Sequence, residues 1–176
     1  EIVSSLRLQD LNNILVRNEL ESFVEDDGLL MADSNFFNFF DFKLVQGDKS
    51  TLLTEPNTVV LTEKAAVKYF GTESPIGKQL TFFNSNTVYK VTGLAENPPS
   101  NSHLQFTMVL TSTSVERFQS EIWLNNGYHT YVKGIDELNL SIINSKMAAM
   151  TKKYVGPQIE QFMGRTFDEF ISQGNA

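Results

Sequence analysis

The sequence predicts an α+β fold, a mixed β-sheet with packed helices, and three features carry that prediction. Short apolar or alternating runs recur along the chain, as strands do; a β-branched run at 58–61 leads straight into a capped helix; and a long stretch after Asp136 carries apolar residues at helical spacing. The 176 residues suit one domain spanning 1–176, or two small lobes sharing a core, and 41% hydrophobic content is ordinary for a globular chain. With no cysteine, stability must come from packing alone.

The elements follow in order. The first thirty residues read as short strands and turns (Val3, Leu6, Leu8; Ile14, Val16), and the acidic run Glu25-Asp26-Asp27 ends at Gly28. Leu29 to Ala32 reads as a buried strand. Asp33 is placed to cap a short helix carrying Phe36, Phe37, Phe39 and Phe40, and the chain then extends through Phe42 to Val45 before breaking at Gly47-Asp48. At Thr58 to Leu61 a strand is expected, with Thr62 capping a helix whose apolar face is Ala65, Ala66, Tyr69 and Phe70 and whose end is Gly71. Leu80 and Phe82 alternate toward a turn at Asn84-Ser85-Asn86, and Val88, Tyr89 and Val91 continue beyond it, which reads as a hairpin. Asn97-Pro98-Pro99-Ser100-Asn101-Ser102 is a loop, because tandem prolines remove two donors. Strands are expected from Leu104 to Leu110 and from Tyr128 to Lys133. Asp136 then caps the longest helix, with Leu140, Ile143, Met147, Met150 and Tyr154 on one face and Gly156-Pro157 as its end. A further helix is expected in the last twenty residues, through Ile159, Phe162, Phe167 and Phe170.

Composition excludes some partners. A formal charge of −7 and a pI near 4.8 argue against nucleic acid, which needs a basic surface to release counterions. Lys152-Lys153 is the nearest basic cluster and reads as a complement to a helix dipole. The longest apolar stretches fall far short of the ~18 residues that span a bilayer. The chain opens at Glu1 with no signal-peptide pattern, which suggests a processed or excised piece of a longer protein.

A search for chemistry returns little. Gly71 to Lys78 resembles a phosphate-binding loop, but its glycines are one residue too far apart, Gln79 stands where a hydroxyl should hold magnesium, and the segment runs from helix to strand, the reverse of what a helix N-terminus needs. His103 and His129 are the candidates for proton transfer at neutral pH, and neither has metal-ligand spacing. Ser102 beside His103 means nothing by adjacency, and no nucleophile-elbow motif is present. Asp26-Asp27 and Asp168-Glu169 point apart on regular structure and read as solvated faces. No catalytic, cofactor-binding or metal-binding residue is therefore assigned.

The remaining concentration is aromatic. Five phenyl rings between Phe36 and Phe42 exceed what one face of a short helix buries. They read first as a core where the helix meets a sheet, and with the Leu140 to Tyr154 face they would give the domain a packed body. The other reading makes Phe36, Phe37, Phe39 and Phe40 an interaction surface for lipid or peptide.

Five segments together point to a family. ADSNFFNFFDFKLVQGD (32–48), PNTVVLTEKAAVKYFG (56–71), SPIGKQL (74–80), YKVTGLAENPPSNSHLQF (89–106) and YHTYVK (128–133) resemble, in order and spacing, the MacB-like periplasmic core domain of FtsX-like ABC permeases, particularly the form common in Bacteroidetes. The resemblance covers residues 28 to 135 and implies an α+β domain held on the periplasmic side of the inner membrane, between the permease's first two transmembrane helices. It also implies a non-catalytic module of an efflux system, moved by a cytoplasmic ABC ATPase, paired in a permease homodimer, and meeting periplasmic or outer-membrane export partners. It supplies no cofactor and no site residues. The alternative is a free-standing envelope binding protein or hydrolase with a pocket near the Phe36–Phe42 cluster.

Overall fold

The computed structural model describes residues 2–82, 87–113, 115–124, 127–135 and 139–172. The chain divides into two compact units, a larger one of Ser5–Gln119 with His129–Tyr131, and a smaller one of Glu1–Ser4, Ser120–Tyr128 and Val132–Ala176.

The larger unit is a mixed sheet. Its strands are β1 (Ile2–Leu11, whose first residues belong to the smaller unit), β2 (Ile14–Arg17), β3 (Ser22–Glu25), β4 (Leu29–Ala32), β5 (Leu44–Gln46), β6 (Thr58–Thr62), β7 (Gln79–Phe82), β8 (Thr87–Ala95), β9 (Met108–Thr111) and β10 (His129–Gly134). They lie in the order β10-β1-β4-β9-β6-β8-β7-β2-β3, with β5 pairing β8. β4 runs parallel to β9 and β6 parallel to β8, whereas β1–β4, β6–β9 and β7–β8 are antiparallel. Three short helices complete the unit: α1 (Phe36–Phe39), α2 (Glu63–Phe70) and α3 (Glu116–Gln119).

Alternation explains the core. Leu6 and Leu8 of β1, Leu30 and Ala32 of β4, Val60 of β6 and Val109 of β9 pack in one cluster with Phe36, Phe37, Leu52, Leu53 and Phe106. Their strand neighbours Leu29, Met31, Val59, Leu61, Met108 and Leu110 are buried too, and α2 packs against β6 and β8 through Ala65, Ala66 and Tyr69. The central strands are thus covered on both faces and read as continuous apolar runs.

Helix α2 behaves as its sequence dictates. Thr62 has extended backbone and its Oγ1 accepts from the Ala65 amide at 3.4 Å; Gly71, at φ +62°, closes the helix with its N–H on the Val67 carbonyl at 2.9 Å. A second acceptor comes from far away, since Asn97 Oδ1 takes the Lys64 amide at 3.1 Å.

Several expectations are corrected. Asp33 does not cap α1: Asn35 holds that position without a side-chain bond, and the Asp33 carboxylate turns instead to Arg7 and Ser112. The strand expected at Leu104–Leu110 shrinks to Met108–Thr111, because the Gln105 amide bonds the carbonyls of Pro99 and Ser102 and holds that stretch in the loop; Leu104 and Phe106 are buried all the same. The expected turn at 84–86 and the expected cap Asp136 lie outside the described residues.

The smaller unit holds α4 (Leu140–Met163) and α5 (Phe167–Ser172). Asn139 caps α4, its Oδ1 accepting the Ile142 amide at 3.2 Å. The helix does not end at Gly156-Pro157 but runs on to Met163, closed by Gly164 at φ +64°. Pro157 removes one helical donor, a cost of about 3 kcal/mol. Tertiary contacts offset it: Ile159 is buried, Gly156 lies against Phe167, and the Gln158 amide joins the Glu121 carbonyl and the Trp123 N–H, each at 2.8 Å. Lys152 and Lys153 therefore sit well inside the helix rather than near its end, and Lys152 pairs with Asp168 at 3.0 Å. The Leu140–Tyr154 face is also not the packed face expected of it, since Leu140, Met147 and Tyr154 are exposed.

Candidate functional site

The five phenylalanines divide by depth. Phe36 and Phe37 are buried, and Phe36 stacks on Phe42 (5.7 Å, 12° between planes) and meets Phe106 edge-on at 5.5 Å. Phe39, Phe40 and Phe42 are half-buried. Asp41, at φ +57°, turns the chain out of α1 in a conformation that Asp tolerates better than most residues, and its carboxylate pairs with Lys49 at 2.7 Å.

Phe40 and Phe42 reach a groove of about 410 Å³ that is also lined by Lys43, Glu96, Pro99 and His103, among others. Phe40 contacts Tyr131 of β10 edge-on at 5.0 Å and His103 at 6.2 Å, and His103 lies 5.8 Å from Tyr131. One wall is the proline loop, which Gln105 braces from within. A half-exposed aromatic wall of this kind offers flat apolar contact area with an imidazole at its rim, suited to binding.

The residues singled out for chemistry are spread over the larger unit. The Ser102 hydroxyl accepts the Leu104 amide at 3.2 Å and shapes the loop. His129 Nε2 lies 3.6 Å from an Asp10 carboxylate oxygen, both side chains largely exposed. In the phosphate-loop lookalike the Gly77 N–H bonds the Val91 carbonyl at 2.9 Å, and Lys78 is held by Glu73 while its ammonium lies 5.0 Å from the Phe70 ring centre. The hydrogen bond and charge of Lys78 hold the Glu73 carboxyl below its usual range. An anion would find that lysine already paired. Among the described residues no group of three or more His, Asp or Glu could hold a metal ion.

Two polar clusters were not legible from spacing. Arg7 grips Asp33 with Nε and Nη2, both at 3.1 Å, while the Arg7 amide reaches the same carboxylate at 2.9 Å and Nη1 donates to the Phe118 carbonyl at 2.7 Å. Glu25, the first residue of the acidic run, is buried; Lys68 pairs with it at 2.7 Å and the Tyr69 hydroxyl donates to it. Burial first, then that bond to Glu25, pushes the Tyr69 phenol far above its usual range.

The fold and the site define a mixed α+β sheet domain with a half-exposed aromatic groove. Residues 8–149 match the MacB-like periplasmic core domain, and the chain belongs to that family. It is accordingly an extracytoplasmic domain of an ABC transporter permease, on the periplasmic side of a membrane protein that works with an ATPase partner. No helix among the described residues is long and apolar enough to cross a membrane.

Solved structures share the fold. A domain of a putative permease protein from Porphyromonas gingivalis is 22% identical with a TM-score of 0.72, over 87% of this chain and 70% of that one. The periplasmic region of MacB from Actinobacillus actinomycetemcomitans is 18% identical with a TM-score of 0.64, over 94% and 77%. The extracellular domain of the noncanonic ABC-type transporter YknZ from Gram-positive bacteria is 17% identical with a TM-score of 0.56, over 94% and 78%. No curated protein sequence matches the chain.

Proposed function

We propose that this domain is a non-catalytic transmission and interaction module of an exporter, moved by ATP hydrolysis on the cytoplasmic side of the inner membrane and working as one of two copies in a permease homodimer. The observation that carries the reading is the build of the larger unit: a sheet whose central strands are covered on both faces, with Ser102 and Lys78 held in structural contacts. A body packed to that degree moves as a whole rather than deforming.

The groove beside Phe40 favours a second role as a contact surface for an exported molecule or an export partner. Phe36 and Phe37 are buried; of the interaction surface expected at Phe36, Phe37, Phe39 and Phe40, only Phe40 lines the groove, together with Phe42. The domain has no cysteine, so an engineered pair can lock its two copies together in the full-length permease without competing thiols from the domain itself. Export should stop while nucleotide still binds the ATPase, and normal export from the locked permease would refute the transmission reading. Turnover of a peptide, ester or glycoside by the isolated domain would equally refute its non-catalytic character.

A further inference from the structure

Helix α4 carries an apolar seam. Leu140, Ile143, Met147, Met150 and Tyr154 follow at alternating spacings of three and four, and at about 100° per residue they fall in an arc of about 80°. That is the narrow stripe of a helix that meets another helix; a helix seated on a sheet or lying in a membrane surface needs a broader apolar face. Leu140 is 71% exposed, Met147 46% and Tyr154 41%, and Ile143 and Met150 are half-buried. The far half of α4 is held by Gln158, by Gly156 against Phe167 and by the stack of Tyr154 on Trp123 (4.8 Å, 12°). Residues 140–149 are exposed almost throughout.

Charge identifies the kind of helix that fits. The chain carries −7, yet from Leu140 to Ile159 it has Lys146, Lys152 and Lys153 and no Asp or Glu. Lys152 is engaged by Asp168. Lys146 and Lys153 are exposed, stand seven residues apart and occupy one flank of the seam, while Asn144, Thr151 and Gln158 on the other flank are uncharged. A second copy of this chain would bring a single acid on its own α4, Glu160, beyond the last residue of the seam, and would add another −7. We infer that the α4 seam is a docking site for an amphipathic helix of another protein whose apolar stripe is bordered by Glu or Asp.

Two synthetic three-heptad peptides, identical in an apolar a/d stripe but bordered by Glu in one and Lys in the other, test this by fluorescence anisotropy with the 176-residue chain. The Glu peptide should bind and the Lys peptide should not. Leu140→Asp with Met147→Asp should weaken the Glu peptide by about tenfold or more, and Lys146→Glu with Lys153→Glu should reverse the preference between the peptides. All four positions are exposed, so each variant should keep its melting midpoint. Equal binding of the two peptides, no binding of either, or a preference that survives charge reversal would overturn the inference. So would dimerisation of the chain that Met147→Asp abolishes, or binding to vesicles of phosphatidylglycerol that Leu140→Asp abolishes while the Glu peptide fails to bind.

Discussion

Arg7 of β1 and Asp33, the residue that follows β4, form a two-pronged ion pair, and the same carboxylate accepts the Ser112 hydroxyl at 3.0 Å from just beyond β9. One side chain thus ties three strands where the sheet passes into α1. Asp33→Ala strands the Arg7 amide, its guanidinium and Ser112, and should lower stability by about 2–3 kcal/mol in urea unfolding. Arg7→Met keeps the stem packed and leaves Asp33 to Ser112 and a backbone amide, so it should cost about 1–2 kcal/mol. Equal midpoints for wild type and Asp33→Ala would show the cluster to be incidental.

A close approach fixes the bulged strand β8. A Cβ built on Gly93 would fall 2.3 Å from Leu52 Cδ2, and one on Gly47, at φ +114°, 2.7 Å from the same methyl group. Gly93→Ala should therefore cost about 1–3 kcal/mol by overpacking. In a Leu52→Ala background most of that cost should vanish, and a double-mutant cycle with no coupling would contradict the geometry.

Gly71 differs in kind, since nothing lies within 4 Å of a Cβ placed there. Its requirement is the positive φ alone, so Gly71→Ala and Gly71→Val should each destabilise by about 1 kcal/mol or more, through the backbone rather than through crowding. A large cost for valine with none for alanine, read from melting midpoints, would mean that the cause is steric.

The Tyr69 phenol is raised in the folded state, so its contribution is fully present below its unfolded pKa of about 10 and is lost as pH rises above that value. Stability measured between neutrality and high pH should fall in the alkaline range, and Tyr69→Phe should flatten part of that fall while costing about 1–2 kcal/mol at neutral pH. A Tyr69 phenolate titrating normally in the folded chain would contradict this.

What the sequence made legible was what short-range chemistry decides. Thr62, Glu63 and Gly71 mark both ends of α2 within ten residues, and β6 is β-branched on both sides of the pleat, so strand and helix could be read directly. Asp33 was misread because a cap and a long-range arginine partner look alike in one dimension, and nothing local marks Arg7 as its mate. The role of Glu25 was not legible, because nothing local marks it as the strand residue that meets Lys68 and Tyr69 of α2. At Thr166-x-x-Glu169 the signal was present and went unread: Thr166 Oγ1 accepts the Glu169 amide while Glu169 accepts the Thr166 amide, a capping box that starts α5. Gly156-Pro157 points the other way, since local rules end the helix there and burial of Ile159 carries it on. The groove could be foreseen only as a cluster of rings, because Tyr131 and His103 reach Phe40 from distant parts of the chain.

The central claim is that the domain acts by moving as a body. In the full-length permease, spin labels at Lys90→Cys, an exposed position in the larger unit, report the distance between the two copies in each nucleotide state, and a second pair at Asn38→Cys and Lys90→Cys within one copy serves as the internal control. The account predicts that the distance between copies changes between the ATP-bound and post-hydrolysis states while the internal distance stays fixed. An unchanged distance between copies in a permease that transports at its normal rate would contradict it.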